Sequence, residues 1–160
     1  MGATHFSGPV YSKGGFAGQI DNTTGAVATG PVFVRPAPAT ISTAGNATYT
    51  AAQVLNGMIL RDAAGANRTD VLPTAAALLA AINNIGVSTV YGKVAQVGTE
   101  IPLMIMNTAG GAFTVQITMG TGGTSGTANV LSTIAQSTSK SFRIMFTNVT
   151  PGAEAYTVYA

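Results

Sequence analysis

The first 45 residues are apolar, yet glycine and proline interrupt every run that could become a helix or a central strand. Eight glycines and four prolines fall in this stretch, and no apolar periodicity lasts more than about five residues. A segment of this kind cannot bury its apolar side chains in a core of its own. We therefore expect residues 1–45 to form an extended arm that adheres to a partner or to a neighbouring subunit. The alternative is a set of short edge strands folded back on the main domain.

The chain also carries few ionic groups. Charged residues make up 8% of the sequence, against roughly 25% in an ordinary soluble domain, whereas hydrophobic residues make up 46%. This composition argues against intrinsic disorder and against a freely diffusing monomer, whose surface would carry more charge. The net charge of +2 is too sparse for a nucleic-acid footprint.

The sequence contains few residues of the types that catalyse reactions or bind metal ions. The sequence has no cysteine, five acidic residues and one histidine, His5, which falls in the Gly-rich arm. The lack of cysteine excludes disulfides and thiolate metal sites. The spacing of the acidic residues and of His5 along the sequence fits neither a Ser-His-Asp site nor a calcium-binding loop. We expect no enzymatic activity, no cofactor and no catalytic or metal site.

Membrane and export signals are weak as well. The longest apolar stretch without charge, Val71 to Ile82, has 12 residues, whereas a membrane span needs about 20. The opening MGATHFSGPVYSKGGF lacks the basic region and apolar core of a secretory signal. We expect no membrane partner and assembly in a reducing compartment without export.

Residues 46–160 read as a separate body made mainly of strands. Short β-branched runs at about ten-residue spacing predict an antiparallel β-sandwich or barrel, with one short helix over Pro73–Gly86. We expect Glu100–Thr108 to be a strand buried on both faces and Phe113–Gly120 a half-buried one. Two strands are predicted within Ala47–Asp62, on either side of a bend at Asn56-Gly57, and further strands at Val87–Val97, Lys140–Val149 and Ala155–Ala160. The predicted core consists of Leu103, Ile105, Phe113, Val115, Ile117, Phe142, Ile144 and Phe146.

Two further segments have competing interpretations. The run Gly120–Asn129 suggests a phosphate-binding loop, but no Lys-Ser/Thr pair and no helix pattern follow it, so a flexible loop is favoured. Four charged residues flank a turn centred on Gly65, and they form either an inter-subunit ion-pair network or a local hairpin salt bridge. These residues are Arg61, Asp62, Arg68 and Asp70.

Three phrases of the sequence together resemble small structural proteins of tailed bacteriophages: THFSGPVYSKGGF, TAAQVLNGMILRDAAGANRTDVLPTAAALLAAI and FTNVTPGAEAYTVY. The chain resembles the capsid decoration, or cement, proteins. The resemblance implies a homotrimer on the outer capsid surface of the virion, assembled in the bacterial cytoplasm, with the major capsid protein as partner. An arm of such a protein grips the shell, and a structural protein of this kind has no catalytic residues.

Within that resemblance, the candidate anchors are the large apolar residues of the arm and one polar partner. They are Phe6, Val10, Tyr11, Phe16, Val32, Phe33 and Arg35. The alternative function is a head-fibre or adhesin module that binds a host glycan or receptor through exposed aromatic residues, for which Tyr91, Tyr156 and Tyr159 are the candidates.

Overall fold

The computed structural model describes residues 37–85, 95–127 and 133–160. Over these residues the chain forms two helices, a six-stranded sheet and a two-stranded sheet. In chain order the elements are β1 (Ala39–Ile41), α1 (Ala51–Leu55), β2 (Met58–Arg61), β3 (Arg68–Val71), α2 (Ala75–Ile85), β4 (Glu100–Asn107), β5 (Val115–Thr118), β6 (Gly123–Ser125), β7 (Ser139–Asn148) and β8 (Ala155–Tyr159).

The expectation of a mainly β body is confirmed, but its exclusively antiparallel pairing is wrong. The large sheet has the order β1-β2-β4-β7-β8-β6. Its strands β1, β2 and β4 run parallel to one another, as do β6 and β8, whereas β4, β7 and β8 pair antiparallel. The small sheet joins β3 and β5 in parallel. The body is therefore a mixed structure in which several neighbouring strands are far apart in sequence.

The described residues form two helices where one was predicted. The predicted helix is confirmed as α2, whose first turn is capped by Thr74, because its Oγ1 accepts a hydrogen bond from the Ala77 amide at 3.2 Å. The prediction of a strand over Ala51–Leu55 is wrong, since this stretch is α1. A capping box starts it: Thr50 Oγ1 accepts from the Gln53 amide at 3.2 Å, and Gln53 Oε1 accepts from the Thr50 amide at 2.8 Å.

One hydrophobic core lies between the large sheet on one side and both helices and the small sheet on the other. Seven of the eight predicted core residues are buried, and Phe113 packs against the core from a partly buried position. Strand β4 is buried on one face only, because Ile101, Leu103 and Ile105 alternate with exposed or half-exposed residues. The large sheet therefore has an inner face towards the core and an opposite face.

The Gly-rich segment is packed closely against the body, at variance with the predicted flexible loop. It contains β6, which pairs with β8. A Cβ atom on Gly120 would lie 2.4 Å from the carbonyl oxygen of Leu72, and one on Gly123 would lie 2.4 Å from the ring of Tyr156. Glycine is required here because backbone and ring approach too closely for any side chain.

The described part of the chain includes only the end of the predicted arm. Strand β1 pairs with β2, so residues 37–45 already belong to the body, ahead of the predicted boundary at residue 46. The predicted anchors Phe6, Val10, Tyr11, Phe16, Val32, Phe33 and Arg35 lie outside the described residues, as does most of the predicted strand Val87–Val97.

Candidate functional site

A charged pair is buried between the two sheets. Arg61 ends β2 in the large sheet and Asp70 lies in β3 of the small sheet, and both side chains are 0% exposed. The Arg61 Nε atom lies 2.6 Å from Asp70 Oδ2, and Arg61 Nη2 lies 3.3 Å from Asp70 Oδ1. The contact is therefore a two-pronged guanidinium–carboxylate pair, the geometry that Arg makes best.

The remaining polar atoms of this pair are also satisfied. Arg61 Nη1 donates to the carbonyls of Thr43, at 3.0 Å, and Asp62, and Nη2 donates to the carbonyl of Gly45 at 2.6 Å. Asp70 accepts from the Tyr49 hydroxyl at 2.8 Å and from the Ala47 amide at 2.6 Å. Burial, followed by the nearby Asp70 carboxylate, raises the pKa of the Tyr49 phenol well above its usual range. The cluster therefore fastens residues 43–49 to both sheets.

These contacts correct the prediction of inter-subunit ion pairs for Arg61 and Asp70, and they show local contacts for the two other predicted residues, Asp62 and Arg68. Arg61 and Asp70 pair inside one chain, where no other subunit can reach them. Asp62 accepts a hydrogen bond from the Ala64 amide at 2.8 Å, and Arg68 Nε donates to the Ala63 carbonyl at 2.7 Å, so both shape the turn between β2 and β3. The role of all four residues shown here is structural.

In the part of the chain that the structure describes, we find no group of metal-binding side chains, and the buried Arg61–Asp70 cluster offers no open substrate site. Across 37–85, 95–127 and 133–160, no three His, Asp or Glu side chains come together as ligands for a metal ion. Neither described helix is long and apolar enough to cross a membrane. The buried Arg61–Asp70 cluster is sealed from solvent and holds no open position for a substrate.

The most distinctive accessible feature is the face of the large sheet that points away from the core, which we call the outer face. The strand registers arrange it in four rows, each of which runs across three or four neighbouring strands. The rows are Thr40–Leu60–Met106–Ser139, Met58–Met104–Ser141, Pro102–Arg143–Tyr159 and Glu100–Met145–Thr157–Thr124.

The outer face is rich in methionine and poor in charge. Four of the chain's six methionines lie on it, namely Met58, Met104, Met106 and Met145. They are half-exposed, and none belongs to the hydrophobic core. The charges in its four rows are those of Glu100 and Arg143, whose Oε1 and Nε atoms lie 3.5 Å apart. A contiguous, half-exposed apolar surface with so little charge is typical of a protein-binding surface.

A shallow open pocket of about 330 Å³ lies at one side of this face. It is lined by Ser141, Phe142, Arg143, Tyr159 and Ala160. The Arg143 guanidinium carbon lies 5.5 Å from the ring centroid of Tyr159, a cation–π contact that occupies the tyrosine ring. Of the three residues predicted for the aromatic platform of the adhesin alternative, Tyr156 is fully buried and cannot be part of an exposed platform. Tyr91 lies outside the described residues.

The outer face was not predicted from the sequence, although the alternation of residue types along β4 indicates it. In EIPLMIMN the branched residues Ile101, Leu103 and Ile105 alternate with Pro102, Met104 and Met106. Because both sets are apolar, the alternation resembles a strand buried on two sides. The signal that separates the faces is residue type: branched aliphatic residues face the core and unbranched methionines face outward.

Comparisons with protein-family models, with curated proteins and with solved structures found no match to this chain.

Proposed function

We propose that this chain is a structural subunit that decorates a bacteriophage capsid and stabilises it by bridging neighbouring major capsid subunits. The observation that carries the proposal is the outer face, a methionine-rich sheet surface with one paired acid and base. Such a surface suits a protein whose working state is an assembly. In this proposal the protein has no catalytic role. It stabilises the shell by burying protein surface where neighbouring capsid subunits meet.

The proposal divides the work between the body and the residues before it. The body supplies contacts between copies, for which a homotrimer is the arrangement that the resemblance implies. Phe6 and Phe16 belong to the apolar residues proposed to grip the capsid, with the arm running along its outer surface. An arm of that length loses conformational entropy when it binds, and the loss is offset by the large area that it covers.

For the body itself we propose an incomplete β-sandwich rather than a barrel. The large and small sheets contribute buried residues such as Ile105 and Ile117 to one common core. The small sheet covers only part of the large one, and α1 and α2 complete the layer. This arrangement leaves the outer face available to another protein.

Co-sedimentation with capsids tests the function. Shells of the encoding phage, assembled without this protein, are mixed with the purified chain and pelleted. We expect saturable binding and a higher temperature of shell disruption. Phe6→Asp combined with Phe16→Asp should abolish binding, whereas Ala112→Lys, an exposed change in the turn after β4, should leave it intact. Wild-type protein that stays in the supernatant at all concentrations would exclude the decoration role.

A binding assay separates this proposal from the adhesin alternative. An adhesin should bind host envelope or surface polysaccharide and should do so without capsids. We expect the purified chain to show no saturable binding to either one. Saturable binding to polysaccharide, lost in Arg143→Ala and Tyr159→Ala, would favour the alternative.

A further inference from the structure

We infer that the outer face is covered by a second copy of this chain, rather than by the capsid shell. The inference deepens the proposed function by naming the partner at this face, and it rests on the proposal that the chain works as an assembly subunit. Three properties of the face support it: the distribution of charge, the size of the surface and the kind of side chain on it.

The charge of the face suits contact with a copy of the same protein. A contact between copies buries the charges of this face whichever surface of the neighbour covers it, and a buried charge without a partner is costly. Here the rows hold one positive and one negative side chain, Arg143 and Glu100, in direct contact. The face is therefore neutral, and a neighbouring copy can cover it without burying a lone charge.

The size of the face comes close to the lower limit for a specific contact. Each row spans three or four strands spaced about 4.8 Å apart, which gives a mean width of roughly 17 Å. The four rows follow one another at about 6.7 Å along the strands, which gives a length of roughly 27 Å. Each copy would contribute about 450 Å² and the contact about 900 Å², against roughly 1,000 Å² for the smallest specific protein interfaces.

The side chains of the face suit an adaptable contact. Met58 and Met104 are direct neighbours in the register, and Met106 is the neighbour of Leu60. Methionine is unbranched and polarizable, so it fills irregular gaps against an opposing surface. Thr40, Ser139 and Ser141 surround these residues with small polar groups, which pack closely without introducing charge.

A single introduced thiol can test whether a copy covers the face. The chain has no cysteine, so Ser141→Cys supplies one near-isosteric probe in the middle of the outer face. The matched control is Ala112→Cys, which is exposed in the turn after β4. Each full-length variant is labelled with a maleimide over a series of protein concentrations, while light scattering reports the mass in units of the 16.0 kDa chain.

We expect labelling at position 141 to slow at least tenfold as the oligomer forms, while the rate at position 112 stays constant. Equal labelling at the two positions within an oligomer would overturn the inference, because the copies would then meet through another surface. A one-chain mass at every concentration would overturn it as well. Capsids are absent from this assay, so a protein that is protected at position 141 but does not bind shells would disprove only the decoration role.

Discussion

At the scale of single residues, Asp70 concentrates the strongest polar contacts of the body. Its fully buried carboxylate contacts the Arg61 guanidinium, the Tyr49 hydroxyl and the Ala47 amide. Acidic and basic residues in a turn region usually form exposed pairs, so the sequence alone gave no reason to expect burial. The burial arises because Arg61 and Asp70 belong to different sheets that face one core.

Asp70→Asn should therefore destabilise the protein strongly. The substitution keeps the shape of the side chain but leaves the Arg61 charge without a counter-ion, which typically costs about 3–5 kcal/mol for a buried pair. Urea denaturation measures the loss in the free energy of unfolding. Glu100→Gln is the matched control, because the Glu100–Arg143 pair is 42% and 60% exposed and should contribute less than about 1 kcal/mol. Equal effects of the two changes would contradict this account of the buried pair.

Tyr156 should make the protein sensitive to high pH. Its hydroxyl donates to the Pro73 carbonyl at 2.9 Å, and burial raises the pKa of the phenol from 10.0 to about 12. Between these two pH values the unfolded tyrosine loses its proton while the folded one keeps it, which favours unfolding. The stabilising contribution is thus complete below pH 10 and disappears as the pH rises towards 12.

Urea midpoints measured across this alkaline range test the prediction. Tyr156→Phe should reduce the slope of stability against pH, although it also removes two hydrogen bonds and lowers stability at neutral pH. Burial raises the pKa of the Tyr49 phenol as well, so part of the slope should remain in Tyr156→Phe. An undiminished wild-type slope in Tyr156→Phe would show that Tyr156 does not contribute to the alkaline sensitivity.

At the scale of elements, the sequence pattern correctly predicted those helices and strands that depend mainly on interactions between residues close in sequence. Helix α2 and strands β5, β7 and β8 followed from periodicity, because each buries one face of a regular pattern. Helix α1 was missed although its capping box is visible in Thr50 to Gln53, since the flanking residues favour strands.

Strand pairing could not be read from the sequence, because it depends on distant contacts. The turn at Gly65 suggested that β2 and β3 form a hairpin, yet β2 pairs with β4 and β3 pairs with β5. Within β1–α1–β2, the helix connects two parallel neighbours, which a short antiparallel hairpin cannot do. The outer face depends on these pairings, so it became visible only in the folded chain.

The Gly-rich segment should tolerate substitution poorly where it contacts the body. A methyl group on Gly120 would press against the Leu72 and Pro73 backbone, which cannot move aside as a flexible side chain could. Gly120→Ala should therefore cost about 1–3 kcal/mol of unfolding free energy. Gly110→Ala is the matched control, because no atom lies within 4 Å of the added group. Equal urea midpoints for the two variants would show that the segment gives way, as a flexible loop would.

At the scale of the whole molecule, the described residues cover one face of the large sheet and leave apolar side chains of the other face half-exposed. The inner face is buried by both helices and the small sheet, whereas the outer face keeps Met58, Leu60, Met104 and Met106 half-exposed. A chain with 8% charged residues has little ionic surface to keep its copies apart. Self-association through the outer face would stabilise the folded chain by mass action.

The melting temperature of the wild-type protein should therefore rise with protein concentration. Binding of a folded copy stabilises the folded state by an amount that grows with the logarithm of concentration, so a hundredfold increase should add up to about 2.7 kcal/mol. Met106→Lys should abolish the dependence, because it adds a charge that the contact would bury without a partner. Ala112→Lys, exposed and outside the face, should keep the wild-type dependence. A wild-type melting temperature that is the same at all concentrations would mean that the outer face does not hold a second copy in the folded state.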